Sequence, residues 1–445
     1  MLAAKRALAA AGLLSLINTP LWVGLAGGPL WLHIAFTALL TALYLALHIR
    51  PRRLPEGGRL QVMMGGRELL VLSCPVLLVQ PVLLVSACTR WKHLFSLGRR
   101  IGAIALSLLL VAALLTNGFL RLMFTCQRLR ILWRVLLLLC WWVPVVGPLL
   151  LIKACSLAQA EYRFEAARAQ LQVLRRDSQV CATRYPLLLV HGIFFRDWQL
   201  VNYWGRIPKA LIQNGATIFY GQQQSAASVA RSAAELARQI ERVVAATGCE
   251  KVNIIAHSKG GLDARYAISC LGLAPQVASL TTINTPHRGC VFAQVLLKKL
   301  PGGLVRFIAT RYNKLFAKLG DDDPDFMAGV QDLTARRCAQ LAQQMPASDG
   351  ILYQSAMSVM KRPGSAAPPL NLSYRLVKKY DRAENDGLVA LPSARYGKFL
   401  GCLRAGGKRG ISHGDMIDLM REDIPGFDVR EFYIGLVRDL KARGL

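Results

Sequence analysis

Two patterns of apolar and polar positions divide this chain. Residues 1–155 alternate long apolar runs with short basic stretches. From about residue 180, apolar runs of strand length alternate with mixed stretches of helical length. The long runs cover 8–26, 29–49, 69–88, 101–120 and 135–152. Each approaches the roughly 20 helical residues that cross a hydrocarbon core of about 30 Å. They predict an α-helical transmembrane region over 1–155 with four or five spans. The run 69–88 is the weakest, because Ser73, Pro75, Gln80 and Pro81 interrupt it, and a re-entrant or interfacial hairpin is the alternative there. Lys5 and Arg6 precede the first run as in a cleaved signal peptide, but four more runs follow, which argues for retention. Residues 156–178 are mostly polar with a helical composition and read as a linker.

The second pattern begins with Tyr185-Pro-Leu-Leu-Leu-Val-His-Gly-Ile-Phe-Phe195, whose unbroken apolar stretch suits a parallel strand covered on both faces. A helix over 200–214, a strand over 216–220 and a helix over 225–247 follow, leading to a second apolar strand at Lys251-Val-Asn-Ile-Ile-Ala-His257. This alternation predicts a mostly parallel sheet with helices on both faces, assigned to residues 179–445.

That second strand breaks into Ala256-His257-Ser258-Lys259-Gly260-Gly261. A small-x-Ser-x-Gly turn places a serine between strand and helix, where only small flanking residues let the two pack closely. Ser258 is therefore the candidate nucleophile, although a chance turn would read the same way if it stood alone. Acyl transfer also needs two backbone N–H groups at the oxyanion, one after the nucleophile and one from a loop after an earlier strand. Lys259 and Ile193 occupy those positions, the latter after His191-Gly192, which lies 67 residues before Ser258.

A serine nucleophile needs a general base, and the chain has seven histidines. His33, His48 and His93 lie in the apolar third, His191 ends the first strand, and alternation points His257 away from its neighbour. Of the remaining two, His413 fits the order serine, acid, histidine, whereas His287 precedes every plausible acid. Asp386, in Asn385-Asp386-Gly387, stands 27 residues before His413 and is the preferred acid. Asp381 and Glu384 are near enough to substitute for it.

Taken in order, Leu189-Val-His-Gly-Ile193, Ala256-His-Ser-Lys-Gly-Gly261, Asn284-Thr-Pro-His-Arg-Gly289, Asn385-Asp-Gly-Leu-Val389 and Ser412-His-Gly-Asp415 resemble an α/β-hydrolase of the bacterial triacylglycerol lipase type. The resemblance covers residues 180–440 or so. It implies the α/β-hydrolase fold, a Ser258–His413–Asp386 triad and carboxylester chemistry on lipid or other acyl-ester substrates, with no organic cofactor. It also implies a lid over about 290–330, where Val291–Leu296 and Leu304–Ile308 are apolar. Lipases of this type often hold a structural calcium between two aspartates, one of them two residues after the histidine. Asp415 matches that position, but Arg362–Leu370 lacks Asp and Glu, so the partner carboxylate has no counterpart. The acidic run Asp321-Asp-Asp-Pro-Asp325 lacks the alternating ligand spacing of a calcium loop and reads as a solvated turn.

The net charge of +29 on 445 residues raises nucleic acid as a partner, but no recognition motif is present, and anionic headgroups at a membrane are the simpler match. Because 50–68, 89–100 and 121–134 all carry arginines, the positive-inside rule does not choose an orientation. The eleven cysteines show no C-x-x-C pair and suit reduced thiols, which predicts an inner (plasma) membrane protein with its hydrolase part on the cytoplasmic side. The reading is thus a membrane-anchored serine ester hydrolase. An acyltransferase with the same triad, or a scaffold that keeps the fold without catalysis, remains open, as does oligomeric state.

Overall fold

The computed structural model describes every residue except 1, 24, 26–28, 52–53, 55–57, 130, 194–202, 300 and 319–320. The described chain forms two compact units, Met1–Leu171 and Gln172–Leu445.

The first unit is helical. Three of its helices, Leu30–Ile49, Gly58–Cys88 and Leu97–Thr125, are long and apolar enough to cross a membrane. The first run divides into Leu2–Ile17 and Thr19–Trp22, and the fifth into Ile131–Cys140 and the start of Val146–Arg175. Gly58–Cys88 continues as one helix through Pro75 and Pro81 rather than folding back as a hairpin. The polar groups that weaken this run in the sequence, Ser73 and Gln80, are buried and find hydrogen-bond partners, Ser73 at Leu70 O. The Gln80 amide exchanges hydrogen bonds with Asn18 at 2.7 and 3.0 Å and donates to Ser107 Oγ at 2.8 Å. Glu68, also buried, receives a two-pronged bond from Arg6 at 2.6 and 2.7 Å. Leu30–Ile49 buries only Leu40 and Tyr44 and leaves Trp31, Ile34, Phe36, Leu39 and Leu43 exposed. An unpaired apolar surface of this extent suits lipid tails rather than water.

The second unit is built on six parallel strands in the order β2-β1-β3-β4-β5-β6. They are β1 (Leu187–Val190), β2 (Ile218–Tyr220), β3 (Val252–His257), β4 (Val277–Ile283), β5 (Leu352–Ser358) and β6 (Lys398–Leu403). Parallel strands need helical crossovers, which cover both faces of the sheet. Here β1, β3 and β4 are buried throughout. Side-chain alternation along them divides the core in two. Leu187, Leu189, Ile255 and Ile283 meet helices Ile207–Ile212 and Val429–Ala442 on one face. Leu188, Val190, Ile254 and Leu280 meet helices Val229–Thr247 and Gly260–Cys270 on the other. Strand order, crossovers and a strand-to-helix turn after β3 make this an α/β-hydrolase fold.

The turn expected after Ile193 and the first part of the helix expected over 200–214 fall in residues 194–202, outside the described residues. The segment expected as a lid contains helices Val291–Lys299 and Gly302–Lys318. Their buried residues Ala293, Leu296, Ala309 and Phe316 pack in one cluster with Ile193. The acidic run nearby is not uniformly solvated. Asp321 is buried and accepts from the Ser225 and Ala226 N–H groups, and Asp325 caps the following helix through Ala328 N–H at 3.0 Å, while Asp322 and Asp323 are exposed.

Burial of apolar surface in lipid does not depend on salt or on alkaline pH. The full chain is therefore expected to stay in the pellet when membranes are washed with high salt and with carbonate. Its release by carbonate would refute the membrane-spanning reading.

Candidate functional site

The site forms at the carboxyl ends of the central strands, where an open parallel sheet offers its binding crevice. Ser258 follows β3 directly and has φ of 56°, in the left-handed region that non-glycine residues rarely adopt. Its N–H donates to Ile283 O at 3.0 Å, which hooks the turn to the end of β4. The turn is held by close approach: a Cβ at Gly260 would lie 2.3 Å from His191 O, and one at Gly192 would lie 2.7 Å from Ser258 Cβ. Neither position admits a side chain unless β1 and β3 part. Backbone strain of this kind, held by packing on both sides, is the mark of a nucleophile elbow.

His413 and Asp386 meet as expected from their order. His413 Nδ1 lies 2.6 Å from Asp386 Oδ2, and the His413 backbone N–H donates to Asp386 O at 2.8 Å. The Asp386 carboxylate has no exposure and collects three further donors, Asn284 Nδ2 at 2.6 Å and the Leu388 and Val389 N–H groups at 2.8 Å each. With Nδ1 turned to the carboxylate, Nε2 is the imidazole nitrogen left to take a proton. The His413 ring reaches the elbow, its centroid 4.5 Å from that of His257, the residue before Ser258. Of the alternative acids, Glu384 is exposed and binds Arg404 at 2.6 Å through both oxygens, and Asp381 is exposed.

The other histidine considered for the base, His287, is engaged elsewhere. Its Nε2 lies 3.0 Å from Thr282 Oγ1, its Nδ1 lies 3.3 Å from Arg265, and its ring stacks on Tyr396. Burial, reinforced by Arg265 and Arg288, holds it well below the usual imidazole range.

Several functional neighbours escaped the sequence. Tyr203 joins the strand ends: its hydroxyl accepts from Gly192 N–H at 3.0 Å and lies 2.7 Å from His257 Nδ1, to which it donates. Burial, and then the His413 ring, lower the His257 pKa well below its ordinary value, so a neutral imidazole accepts there. Asn284, with φ of 51°, bridges Asp386 to Ser358, whose N–H it accepts at 3.0 Å. Its position directly after a central strand was the signal available. Lys259, chosen for its backbone N–H, has a wholly buried side chain whose Nζ meets Ser232 Oγ at 2.9 Å and Asp263 Oδ1 at 2.8 Å. Burial pushes the Asp263 carboxyl up to about 7, against the pull of Lys259. Ile193 is buried beside the elbow, so both oxyanion candidates have anchored side chains.

The position expected for a calcium ligand is taken by the chain itself. Asp415 Oδ1 accepts from Arg409 Nη2 at 2.9 Å, and Oδ2 accepts from Ser412 N–H at 2.7 Å. Calcium takes six to eight oxygens. A guanidinium stands against this carboxylate instead, and among the described residues no group of three metal-ligating side chains gathers. The residues present do not fit a calcium ion. Burial raises the Asp415 pKa, and Arg409 is the main opposing influence.

A family model, lipase (class 2), matches residues 184–285. A triacylglycerol lipase of Pseudarthrobacter phenanthrenivorans is 37% identical over 180 residues, covering 38% of this chain and 56% of that protein. A triacylglycerol lipase of Vibrio cholerae is 30% identical over 240 residues, covering 49% of this chain and 76% of that protein. The chain thus spans only about half the length of the first, but three quarters of the second. Among solved structures, the mature lipase BlEst2 of Bacillus licheniformis aligns with a TM-score of 0.43 at 19% identity, over 57% of this chain and 92% of that one.

Replacing Tyr203 by Phe removes the oxygen that serves both Gly192 and His257. The expected loss is about 1–3 kcal/mol of stability, the usual cost of unpaired buried polar groups. Chemical denaturation of the full-length variant measures it, and unchanged stability would show that this hydroxyl does not tie the strand ends together.

Proposed function

The chain belongs to the triacylglycerol lipase family, and from that premise we propose that it is a membrane-anchored serine hydrolase that cleaves acyl esters of lipids. The observation that carries this reading is the buried His413–Asp386 pair, 2.6 Å apart, beside an elbow with Ser258 at φ 56°. In this reading Ser258 Oγ attacks the ester carbonyl while His413 Nε2 takes its proton. Asp386 holds the imidazole in the needed tautomer and stabilises the imidazolium. The N–H groups of Ile193 and Lys259 receive the negative charge on the carbonyl oxygen, where fixed dipoles cost no reorganisation. His413 returns its proton to the leaving alcohol, and water then releases the acyl group from Ser258 by the same steps in reverse.

The apolar helices Leu30–Ile49, Gly58–Cys88 and Leu97–Thr125 support integral anchoring. Such anchoring confines the enzyme to its substrate's own phase, which suits acyl esters too insoluble to diffuse to it. The cysteines, with no C-x-x-C pair among them, suit reduced thiols and support a cytoplasmic face for the hydrolase.

Labelling of the full-length protein with a fluorophosphonate, combined with hydrolysis of short soluble esters, tests the assignment. Ser258→Ala is expected to abolish both while leaving the protein folded, and retained labelling would move the nucleophile elsewhere. His413→Ala is expected to be as damaging as Ser258→Ala, whereas folded His287→Ala keeps most of its turnover.

Asp386→Asn is expected to lower kcat by roughly 10⁴-fold with the fold intact, because the amide presents the wrong partner to Nδ1. Near-normal turnover in that variant would transfer the role to Asp381 or Glu384.

A further inference from the structure

The turn that carries His413 is tied down by one side chain that the catalytic scheme does not use. Arg409 is largely buried, with only 16% of its side chain exposed, and its guanidinium serves three acceptors from three parts of the chain. Nε donates to Ser365 O at 2.9 Å, and Nη2 lies 2.9 Å from Asp415 Oδ1 and 3.0 Å from Glu422 Oε2. The neighbouring Gly410 N–H also donates to Ser365 Oγ at 3.1 Å, and Ile411 N–H donates to Val359 O at 2.8 Å. Segment 409–411 is therefore laid along 359–365, and Asp415 is held from one side by Arg409 and from the other by Ser412 N–H.

We propose that Arg409 is the positioning residue of the His413 turn, a built-in cation that does for this chain what a bound calcium ion would do, so that its active-site geometry is independent of calcium. A planar guanidinium with several donors suits this task, because one rigid group can satisfy a carbonyl and two carboxylates at once. Asp415 needs such a partner, since a buried carboxylate without one is strongly disfavoured. Removing Arg409 leaves that charge uncompensated two residues from His413 and releases the 412–415 turn. His413 then loses its alignment with Ser258, while the oxyanion donors at Ile193 and Lys259 stay in place. The proposal rests on His413 acting as the base, and its experiment separates the two ideas.

Full-length protein in detergent micelles is assayed with a short soluble ester and by thermal unfolding, with EDTA or with added calcium chloride. The unmodified protein is expected to keep the same kcat and melting temperature in both. Arg409→Ala is expected to lose on the order of tenfold to a hundredfold in kcat with KM nearly unchanged, the size usual for a misplaced catalytic group. Arg409→Lys should recover part of the loss, because it keeps the charge but not the fork. The double variant Arg409→Ala with Asp415→Asn should melt above Arg409→Ala alone, because the stranded charge is gone. EDTA inactivation reversed by calcium in the unmodified protein would overturn the proposal, and so would wild-type kcat and melting in Arg409→Ala. If Arg409→Ala does not fold, the chelation arm still decides. If the unmodified protein cleaves no ester, the hydrolase reading fails, and the melting temperatures under chelation and in the double variant still judge Arg409.

Discussion

A carboxylate with no exposed surface must be surrounded by donors, and the catalytic end of this fold is arranged around that requirement. Asp386 draws in the His413 ring, the Asn284 amide and the Leu388 and Val389 N–H groups. Those groups come from the end of β4, from the turn after Asp386 and from a loop 27 residues further along the chain. Burying the charge would be prohibitive without them, so the same bonds that make the carboxylate tolerable also set the position of the imidazole. Arg409 and Asp415 apply the same logic a turn away. An ion pair is buried there, and the backbone it holds is the segment that presents His413.

Close packing supplies the second constraint. The elbow exists because β1, β3 and the Gly260–Cys270 helix approach until no Cβ fits at Gly192 or Gly260. The left-handed Ser258 is strained on its own, and its surroundings hold it: β4 accepts its N–H, and the next residue is locked by the Lys259–Asp263 pair and by Ser232 on helix Val229–Thr247. Preorganisation of this kind places donors before the reaction begins, which is why backbone N–H groups can stabilise developing charge effectively. Tyr203 extends the arrangement to the loop that carries Ile193, through a neutral His257.

The helical unit follows a different rule. Its long helices expose much apolar surface, and in a bilayer their polar groups would have to be satisfied internally, as the Asn18–Gln80–Ser107 and Arg6–Glu68 contacts do. Gln80, which weakens its run as a membrane span when read in sequence, becomes acceptable once its amide has partners at Asn18, between the first two helices, and at Ser107 on helix Leu97–Thr125. A polar residue in an apolar run therefore marks a helix contact as readily as a break.

Local pattern determined a good deal. The parallel α/β architecture followed from unbroken apolar strands alternating with helices. Ser258, Asp386 and His413 could be nominated because a small-x-Ser-x-Gly turn is contiguous in sequence, because few histidines compete, and because His287 precedes every candidate acid; the packed chain then brings His413 against Asp386. Asp415 could likewise be placed two residues after His413, and the lack of Asp and Glu in 362–370 left no counterpart for a second calcium-binding carboxylate. What sequence could not show were the contacts between distant segments. Asn284 is 102 residues from Asp386 and Tyr203 is 54 from His257. Arg409 meets a backbone carbonyl 44 residues away, and carbonyls carry no sequence signature. Lysine and aspartate are usually solvated, so burial of the Lys259–Asp263 pair and of Asp321 was decided by the chain packed over them. Spacing nominates which residues are candidates to react. Only the packed sheet decides which neighbours hold them, because hydrogen bonds across strands depend on positions in space that no local pattern encodes.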